Sequence, residues 1–231
     1  MFIPFAVEYS FERTAFVTIG LVAVNVLVAL LAGLPGGAVD AGYALVPGEF
    51  HLHQLITHAF LHAGFLHLLG NMLFLWVFGR YVEDRLGPLR FAAVYLAGAV
   101  LSGLAQLAFG GERPTVGASG AVAGLMGYVL VAAPWLEVRC TLLFGGNASR
   151  VYDLAAGWLL IPWVLFQLME AALGSWSDVA AAAHLGGFFF GAGAAAVMRS
   201  RYCVGTGWYI DPRPPPGGKA AVNRLRRARG G

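Results

Sequence analysis

The chain has 231 residues, of which 58% are hydrophobic and only 12% are charged, with a mean hydropathy of +0.70 and a formal net charge of +3. A water-soluble domain carries about 25% charged residues, so this composition excludes an ordinary soluble globular protein. Together with 32 glycines and long apolar runs, it predicts an integral membrane protein that crosses the bilayer several times.

Six segments are predicted to be membrane-spanning helices, so the expected fold class is all-α, a polytopic six-helix bundle. Crossing the hydrocarbon core takes about 20 helical residues, which most of the segments supply. The last segment is rich in Gly and Ala and suits a helix packed closely against its neighbours. The predicted spans are residues 15–34, 60–79, 91–110, 116–135, 154–174 and 180–198.

The first segment is interpreted as a retained span and not as a cleaved signal peptide. Its apolar run of about 20 residues exceeds the apolar region of about 7–15 residues that signal peptides carry. The residues before it include Glu8, Glu12 and Arg13, whereas a signal peptide would have a basic region there.

The positions of Lys and Arg predict the orientation of the spans. The loops at 35–59 and 175–179 contain neither residue, and the loop at 111–115 contains only Arg113, whereas the loops at 80–90 and 136–153 and both termini hold the remaining cations. Cytoplasmic loops carry the excess of Lys and Arg. The pattern therefore predicts an even number of spans with both termini cytoplasmic. A bacterial inner membrane suits such a compact core with short extensions.

The chain is predicted to divide into a cytoplasmic N-terminal segment (1–14), the helical core (15–199) and a basic, Pro/Gly-rich cytoplasmic tail (200–231). The composition of the tail predicts disorder, with two roles left open: contact with anionic lipid, or only enforcement of the orientation in the membrane. No nucleic acid is expected as a partner. Cys140 and Cys203 both map to the cytoplasmic side and lack the spacing of a metal site. Neither a structural disulfide nor a cysteine-bound metal is therefore predicted.

Polar side chains inside the predicted spans are functional candidates, because a polar group is costly in lipid. The second span contains His67 and Asn71, which share one helix face, the fourth contains Ser119 and the sixth contains His184. These spans all run from outside to inside, and a helix rises about 1.5 Å per residue, which places the four side chains roughly 5–16 Å below the outer surface. Their similar depth predicts that they can converge at one site.

Two stripes of glycine predict that the fourth and sixth spans approach each other closely. Small residues repeated at this spacing let helix backbones come together in a membrane. Such an approach would bring the serine hydroxyl toward the histidine. The stripes are Gly120 and Gly124 beside Ser119, and Gly187 and Gly191 after His184.

This set of residues permits acyl transfer by a Ser–His dyad. A serine hydroxyl becomes nucleophilic when a base accepts its proton, and histidine is the usual base. The tetrahedral intermediate needs hydrogen-bond donors, for which the backbone N–H of Ser119, the amide of Asn71 and an N–H of His67 are candidates. No Asp or Glu is within reach at the external ends of these spans, and nothing aligns Glu170, near the external end of the fifth span, with His184. No cofactor or metal is expected.

Four stretches resemble the rhomboid family of intramembrane serine proteases, in the order in which that family has them. The stretches are "HAFLHAGFLHLLGN" (58–71), "GRYVEDRLG" (79–87), "GASG" (117–120) and "AHLGGFFFG" (183–191). The resemblance covers residues 15–199, which is essentially the whole predicted core.

The resemblance implies that Ser119 is the nucleophile and His184 the general base. It implies an oxyanion site made by His67, Asn71 and the backbone N–H of Ser119, with Gly117 shaping the loop before the serine. The family's fourth helix is short and central, and its serine opens into a water-filled cavity that faces outward. The implied substrates are transmembrane proteins, cut near the outer ends of their helices.

The chain departs from the family pattern at two places. Some relatives have a Trp–Arg pair in the first external loop, where this chain has His53 and Gln54. Some have an aromatic residue four positions after the serine, stacked on the histidine, where this chain has Ala123. His184 is therefore expected to pack against the phenylalanines at 188–190 or against a neighbouring helix.

Other readings of the same residues stay open. By itself, Ser119 would suit a packing serine bonded to the carbonyl of the preceding helical turn. The fold would also suit a binder of membrane helices without proteolytic activity, or a metal site or transporter built from histidines, although no H-E-x-x-H motif is present. The histidines are His51, His53, His58, His62, His67 and His184.

Four further polar residues are assigned structural roles. His58 and His62 lie near the membrane interface and are expected to form hydrogen bonds with loop carbonyls. Gln106 and Gln167 lie within spans and are expected to form hydrogen bonds between helices.

Overall fold

The computed structural model of the chain describes residues 2–33, 41–112, 114–144, 147–173 and 180–202. Helices dominate this part of the chain, and a small antiparallel sheet accompanies them. The helices are α1 (Phe16–Ala32), α2 (Gln54–Thr57), α3 (Phe65–Phe74), α4 (Arg80–Leu86), α5 (Pro88–Phe109), α6 (Ser119–Ala132), α7 (Ala156–Leu173) and α8 (Ala181–Tyr202). The strands are β1 (Phe2–Val7), β2 (Glu137–Phe144) and β3 (Asn147–Ala155).

Within the described residues, four helical segments are long and apolar enough to cross a membrane: Phe65–Leu86, Pro88–Phe109, Ala156–Leu173 and Ala181–Met198. The apolar helices α1 and α6 are shorter, with 17 and 14 residues. Each predicted span coincides with one of these six helices, but length and composition assign a crossing only to the four longer ones. Residues 200–202 of the tail that was predicted to be disordered belong to α8, and the rest of the tail lies outside the described residues.

The second span differs most from its prediction. Its helix begins at Phe65 and not at residue 60, and it continues through a π-helical turn, Leu75–Gly79, to Leu86. Part of the predicted loop at 80–90 is therefore helix. The extension lets the carboxylate of Glu83 accept hydrogen bonds from the amides of Val17 and Thr18, at 2.9 and 2.8 Å. Amides in the first turn of a helix have no partner within that helix, so this buried carboxylate caps α1.

The sheet is the departure from the all-α expectation. Its strand order is β1-β2-β3, all antiparallel, so the first residues of the chain pair with the hairpin that joins α6 to α7. Val138 and Cys140 are fully buried while the alternating residues Glu137 and Arg139 are not, the two-residue period of a strand with one covered face. Arg139 also forms ion pairs with Glu8 and with Asp153 on β3. Residues 2–7 of the predicted N-terminal segment and most of the predicted loop at 136–153 thus form strands of this sheet.

The centre of the helical part is α6. Every residue from 120 to 129 is buried, and this helix is flanked by α5 on one side and α8 on another. Around it lie the largest fully buried side chains, which include Tyr95, Phe78 and Phe91. A short helix surrounded in this way keeps its first residue at the end of the buried core, which is where Ser119 lies.

Candidate active site

The loop before α6 places Ser119 as the first residue of that helix. Gly117, two residues earlier, has φ +124°, a conformation that side chains rarely adopt, and its N–H donates to the carbonyl of His58 at 2.9 Å. Because Ser119 begins the helix, its backbone N–H has no partner within the helix. The serine therefore combines a side-chain hydroxyl and a backbone donor at one position.

The hydroxyl of Ser119 meets the imidazole of His184 across the α6–α8 contact. The distance from Ser119 Oγ to His184 Nε2 is 2.8 Å, between residues that are 65 positions apart in the chain. A Cβ at Gly187 would overlap the carbonyl oxygen of Gly120, and a Cβ at Gly191 would overlap that of Gly124. The two glycine stripes thus face each other, and the close approach of the backbones is what brings the hydroxyl to the imidazole.

The other nitrogen of His184 contacts α7. His184 Nδ1 lies 2.9 Å from Oε1 of Gln167, and the ring of Trp163, one helical turn earlier, lies 5.8 Å from the imidazole between centroids. The sequence predicted that a neighbouring helix could pack against His184, and Trp163 on α7 does so. Phe188 also packs against Trp163. Gln167 forms the hydrogen bond between helices that was expected of it, but sequence reasoning did not identify His184 as its partner.

His67 and Asn71 converge on the loop before Ser119. A Cβ on Gly117 would lie 2.7 Å from Cε1 of His67 and 3.4 Å from Nδ2 of Asn71, so both side chains border this glycine. Nδ1 of His67 accepts from the N–H of Ala63 at 3.4 Å, which in a neutral ring leaves the hydrogen on Nε2, the nitrogen beside Gly117. Nδ2 of Asn71 is buried and has no hydrogen-bond partner among the described residues.

His58 has the structural role that was expected. Its Nδ1 lies 2.6 Å from the carbonyl oxygen of Gln54, and its own carbonyl accepts the N–H of Gly117. Burial lowers the pKa of the His58 imidazole, so the ring is neutral and Nδ1 donates to Gln54. His62 packs edge-on against His67, with 5.3 Å between ring centroids, and neither of its ring nitrogens has a partner within the described segments.

The described residues contain no group of three or more His, Cys, Asp or Glu side chains that could hold a metal ion. His51 and His53 contact each other and the chain before them: His51 stacks on His53, and His53 Nε2 lies 3.2 Å from the carbonyl oxygen of Gly42. Cys140 is buried in β2, where burial raises the pKa of its thiol to about 11. Cys203 lies beyond the residues that the structure describes.

The family model of the Rhomboid domain matches residues 49–201, so the chain belongs to the rhomboid family. It is 34% identical to RHOMBOID-like protein 5 of Arabidopsis thaliana over an alignment of 175 residues that covers 71% of this chain and 49% of that protein. It is 30% identical to the mitochondrial presenilin-associated rhomboid-like protein A of Danio rerio over an alignment of 178 residues that covers 71% of this chain and 45% of that protein.

A bacterial relative carries an activity in its name. The chain is 32% identical to the rhomboid protease GlpG of Klebsiella pneumoniae over 133 residues, which are 57% of this chain and 45% of GlpG. The chain spans about half the length of each of these three relatives. Because they come from a plant, from mitochondria and from a bacterium, they do not support the expected bacterial inner membrane over another membrane.

Proposed function

We propose that this chain is an intramembrane serine endopeptidase that hydrolyses peptide bonds in or near the outer ends of transmembrane helices. The observation that carries the proposal is the 2.8 Å contact between Ser119 Oγ and His184 Nε2. Membership of a family that contains a named protease supports it. The proposed nucleophile is Ser119 and the proposed general base is His184.

In the proposed reaction, Ser119 Oγ attacks the carbonyl carbon of the scissile peptide while its proton passes to His184 Nε2. The tetrahedral intermediate collapses as the imidazolium gives that proton to the departing amine. The acyl part of the substrate then remains as an ester on Ser119. A water molecule then attacks the ester, His184 accepts its proton, and the acid product leaves as the serine regains its hydrogen. Each proton that the base takes up is returned within the same half-reaction, so the free enzyme is restored.

The oxyanion of the intermediate is proposed to be stabilised by three donors beside Gly117. Nδ2 of Asn71 is buried without a partner among the described residues, and such a donor gains a hydrogen bond only when an acceptor arrives. The Nε2–H of His67 and the backbone N–H of Ser119 are the other two. Gly117 leaves the space between them open, and Gly120, Gly187 and Gly191 hold the helices that carry the dyad.

The proposed orientation follows from the loop charges: both termini cytoplasmic, and the N-terminal end of α6 toward the external side. A serine near the outer face is within reach of the water that hydrolysis consumes. The proposed substrates are therefore other transmembrane proteins, and the bilayer is the second partner. A transmembrane reporter, not a soluble peptide, is the suitable assay substrate.

The decisive experiment compares the chain with its Ser119→Ala and His184→Ala variants in detergent. We expect the wild type to cleave a transmembrane reporter and to be labelled at Ser119 by a fluorophosphonate, in the presence or absence of EDTA, and both variants to lose cleavage. The matched control is Ser102→Ala, since the Ser102 hydroxyl is buried and donates to the carbonyl of Ala99 at 2.8 Å. Equal cleavage by Ser119→Ala would contradict the proposal, and inhibition by EDTA would favour a metal site.

The Asn71→Ala variant tests the oxyanion site separately. Removing one donor among several is expected to lower kcat by roughly 10²–10³-fold or less, with the fold unchanged. An unchanged kcat in this variant would remove Asn71 from the proposed oxyanion site but would leave the dyad as proposed.

A further inference from the structure

The hydrogen bond to the second nitrogen of His184 has no part in the reaction as written above. Gln167 is 3% exposed and is the only amide on the buried face of α7, whose other members are apolar apart from one carboxylic acid. A buried amide among apolar side chains is costly unless it is hydrogen-bonded, so the contact to His184 explains how this residue is accommodated. That buried face consists of Ala156, Leu160, Val164, Gln167 and Glu170.

The two hydrogen bonds of His184 are chemically coupled. A neutral imidazole carries its hydrogen on one nitrogen and a lone pair on the other. Ser119 can lose its proton to Nε2 only if Nε2 holds the lone pair, and the hydrogen must then be on Nδ1. An acceptor 2.9 Å from Nδ1 favours that tautomer, and Gln167 presents its carbonyl oxygen there.

We infer, on the basis of the proposed function, that Gln167 is a positioning residue that holds His184 in the tautomer able to accept the proton of Ser119. The amide does so without a charge. It acts through His184 and does not touch the substrate. Trp163, one turn before it on α7, packs against the same imidazole and restrains the plane of the ring.

A neutral acceptor also has a consequence for pH dependence. A carboxylate in the same place would stabilise the imidazolium strongly, whereas an amide oxygen stabilises it less, so the wild-type base stays unprotonated to lower pH than it would beside an acid. Exchanging the amide for a carboxylate of the same shape should therefore move the pH at which activity is lost on acidification. A side chain at position 167 that does not contact the imidazole would change this pH little.

The test measures cleavage of the transmembrane reporter and fluorophosphonate labelling of Ser119 between pH 5 and pH 9 in three variants. We expect Gln167→Leu to lower kcat about 10- to 10³-fold with KM nearly unchanged, less than the roughly 10⁴-fold loss when a charged partner of such a histidine is replaced. We expect Gln167→Glu to be more active than Gln167→Leu at pH 8, with the acid limb of kcat/KM moved to higher pH by about one unit.

The matched control is Gln106→Leu, the same change at another buried glutamine, which lies on α5 and whose Nε2 donates to the carbonyl of Gly110 just after that helix. This variant should leave the acid limb where the wild type has it, whatever its effect on thermal stability. Wild-type kcat and an unmoved acid limb in both Gln167 variants would overturn the inference while the proposed protease stands. If Gln167→Leu does not fold, the position of the acid limb in the isosteric Gln167→Glu decides. A wild-type chain that neither cleaves the reporter nor is labelled at Ser119 would overturn the proposed function, and this inference with it.

Discussion

The contact of α8 with α6 is made by glycines, whereas its contact with α7 is made by large side chains. Between α6 and α8, a Cβ on Gly187 or Gly191 would overlap a backbone carbonyl of the partner helix. Between α7 and α8, the contact at the site is the amide of Gln167 and the ring of Trp163 against His184. The same histidine thus belongs to two interfaces of different construction.

The two interfaces constrain different features of the site: one the distance between helices, the other the orientation of a side chain. Where backbones touch, no side chain can rotate to compensate for a change in the distance between the helix axes. The distance from Ser119 to His184 is therefore set rigidly. Where side chains mediate the contact, a rotamer change alters the contact without moving a helix. The glycine interface therefore determines whether the two residues meet, and the α7 contact determines how the imidazole is oriented when they do.

The largest effect is expected from Gly191→Ala, which changes the glycine interface. The new methyl group would overlap the carbonyl of Gly124, so α8 must move away from α6, at a cost of about 1–3 kcal/mol of stability or more. We expect a lower thermal denaturation midpoint and loss of fluorophosphonate labelling at Ser119. The control is Gly193→Ala on the same helix, where a Cβ meets nothing within 4 Å. Equal stability of the two variants would show that the glycine contact does not set the distance.

The next effect is expected from Gly117→Ala, which tests the loop and not the helix contact. A methyl group there would lie 2.7 Å from His67, in a backbone conformation with φ +124°. We expect reporter cleavage to fall by about 10²-fold or more because the space for the oxyanion is filled. Gly111→Ala shares the positive φ, at +73°, but has nothing within 4 Å, so it separates backbone strain from the steric effect. Similar losses in both variants would assign the effect to strain alone.

Trp163→Leu tests the side-chain contact and should have a smaller effect. Its ring packs against His184 and Phe188, and an aromatic contact contributes about 0.5–1.5 kcal/mol, so we expect kcat to fall several-fold to about tenfold. Trp158→Leu on the same helix is the control, because Trp158 is 78% exposed. An effect of Trp163→Leu as large as that of Gly191→Ala would remove the distinction between the two interfaces.

The smallest effect concerns the hairpin that connects α6 to α7. With the pKa of the buried Cys140 thiol at about 11, the thiolate fraction at pH 8 is on the order of 0.1%, and it rises only as the pH approaches 11. In a Cys203→Ser background, we expect folded protein to react slowly with a maleimide at pH 8 and unfolded protein to react fast. Rapid labelling of the folded chain would mean that the hairpin opens. The pairing of β2 with β3 would then hold α7 less firmly than the structure indicates.

Much of the candidate site was predictable from short stretches of sequence. Apolar runs gave the helices, and their limits were within about four residues for all except the second span. Ser119, His184, His67 and Asn71 could be selected because a polar residue in an apolar segment is conspicuous and because their predicted depths agree. The glycine stripes could be recognised from a spacing that repeats within one helix. In each case the signal lies within a few helical turns.

The features that the sequence left undetermined all join distant segments. The pairing of β1 with β2 joins residues 2–7 to residues 138–142, and neither strand has a pattern strong enough to distinguish it from a loop. The burial of Glu83 depends on the start of α1, 65 positions away, which supplies the amides that satisfy its carboxylate.

Within the site, short patterns along the chain identified which helices carry the candidate residues. Packing between helices set how those residues are paired. The hydrogen bond between Gln167 and His184 forms only when α7 and α8 each have one particular rotation about their own axes. Packing against α6, and not any local sequence pattern, fixes that rotation. Runs of apolar residues therefore define the helices, whereas the orientation of the imidazole is determined by contacts between segments far apart in the chain.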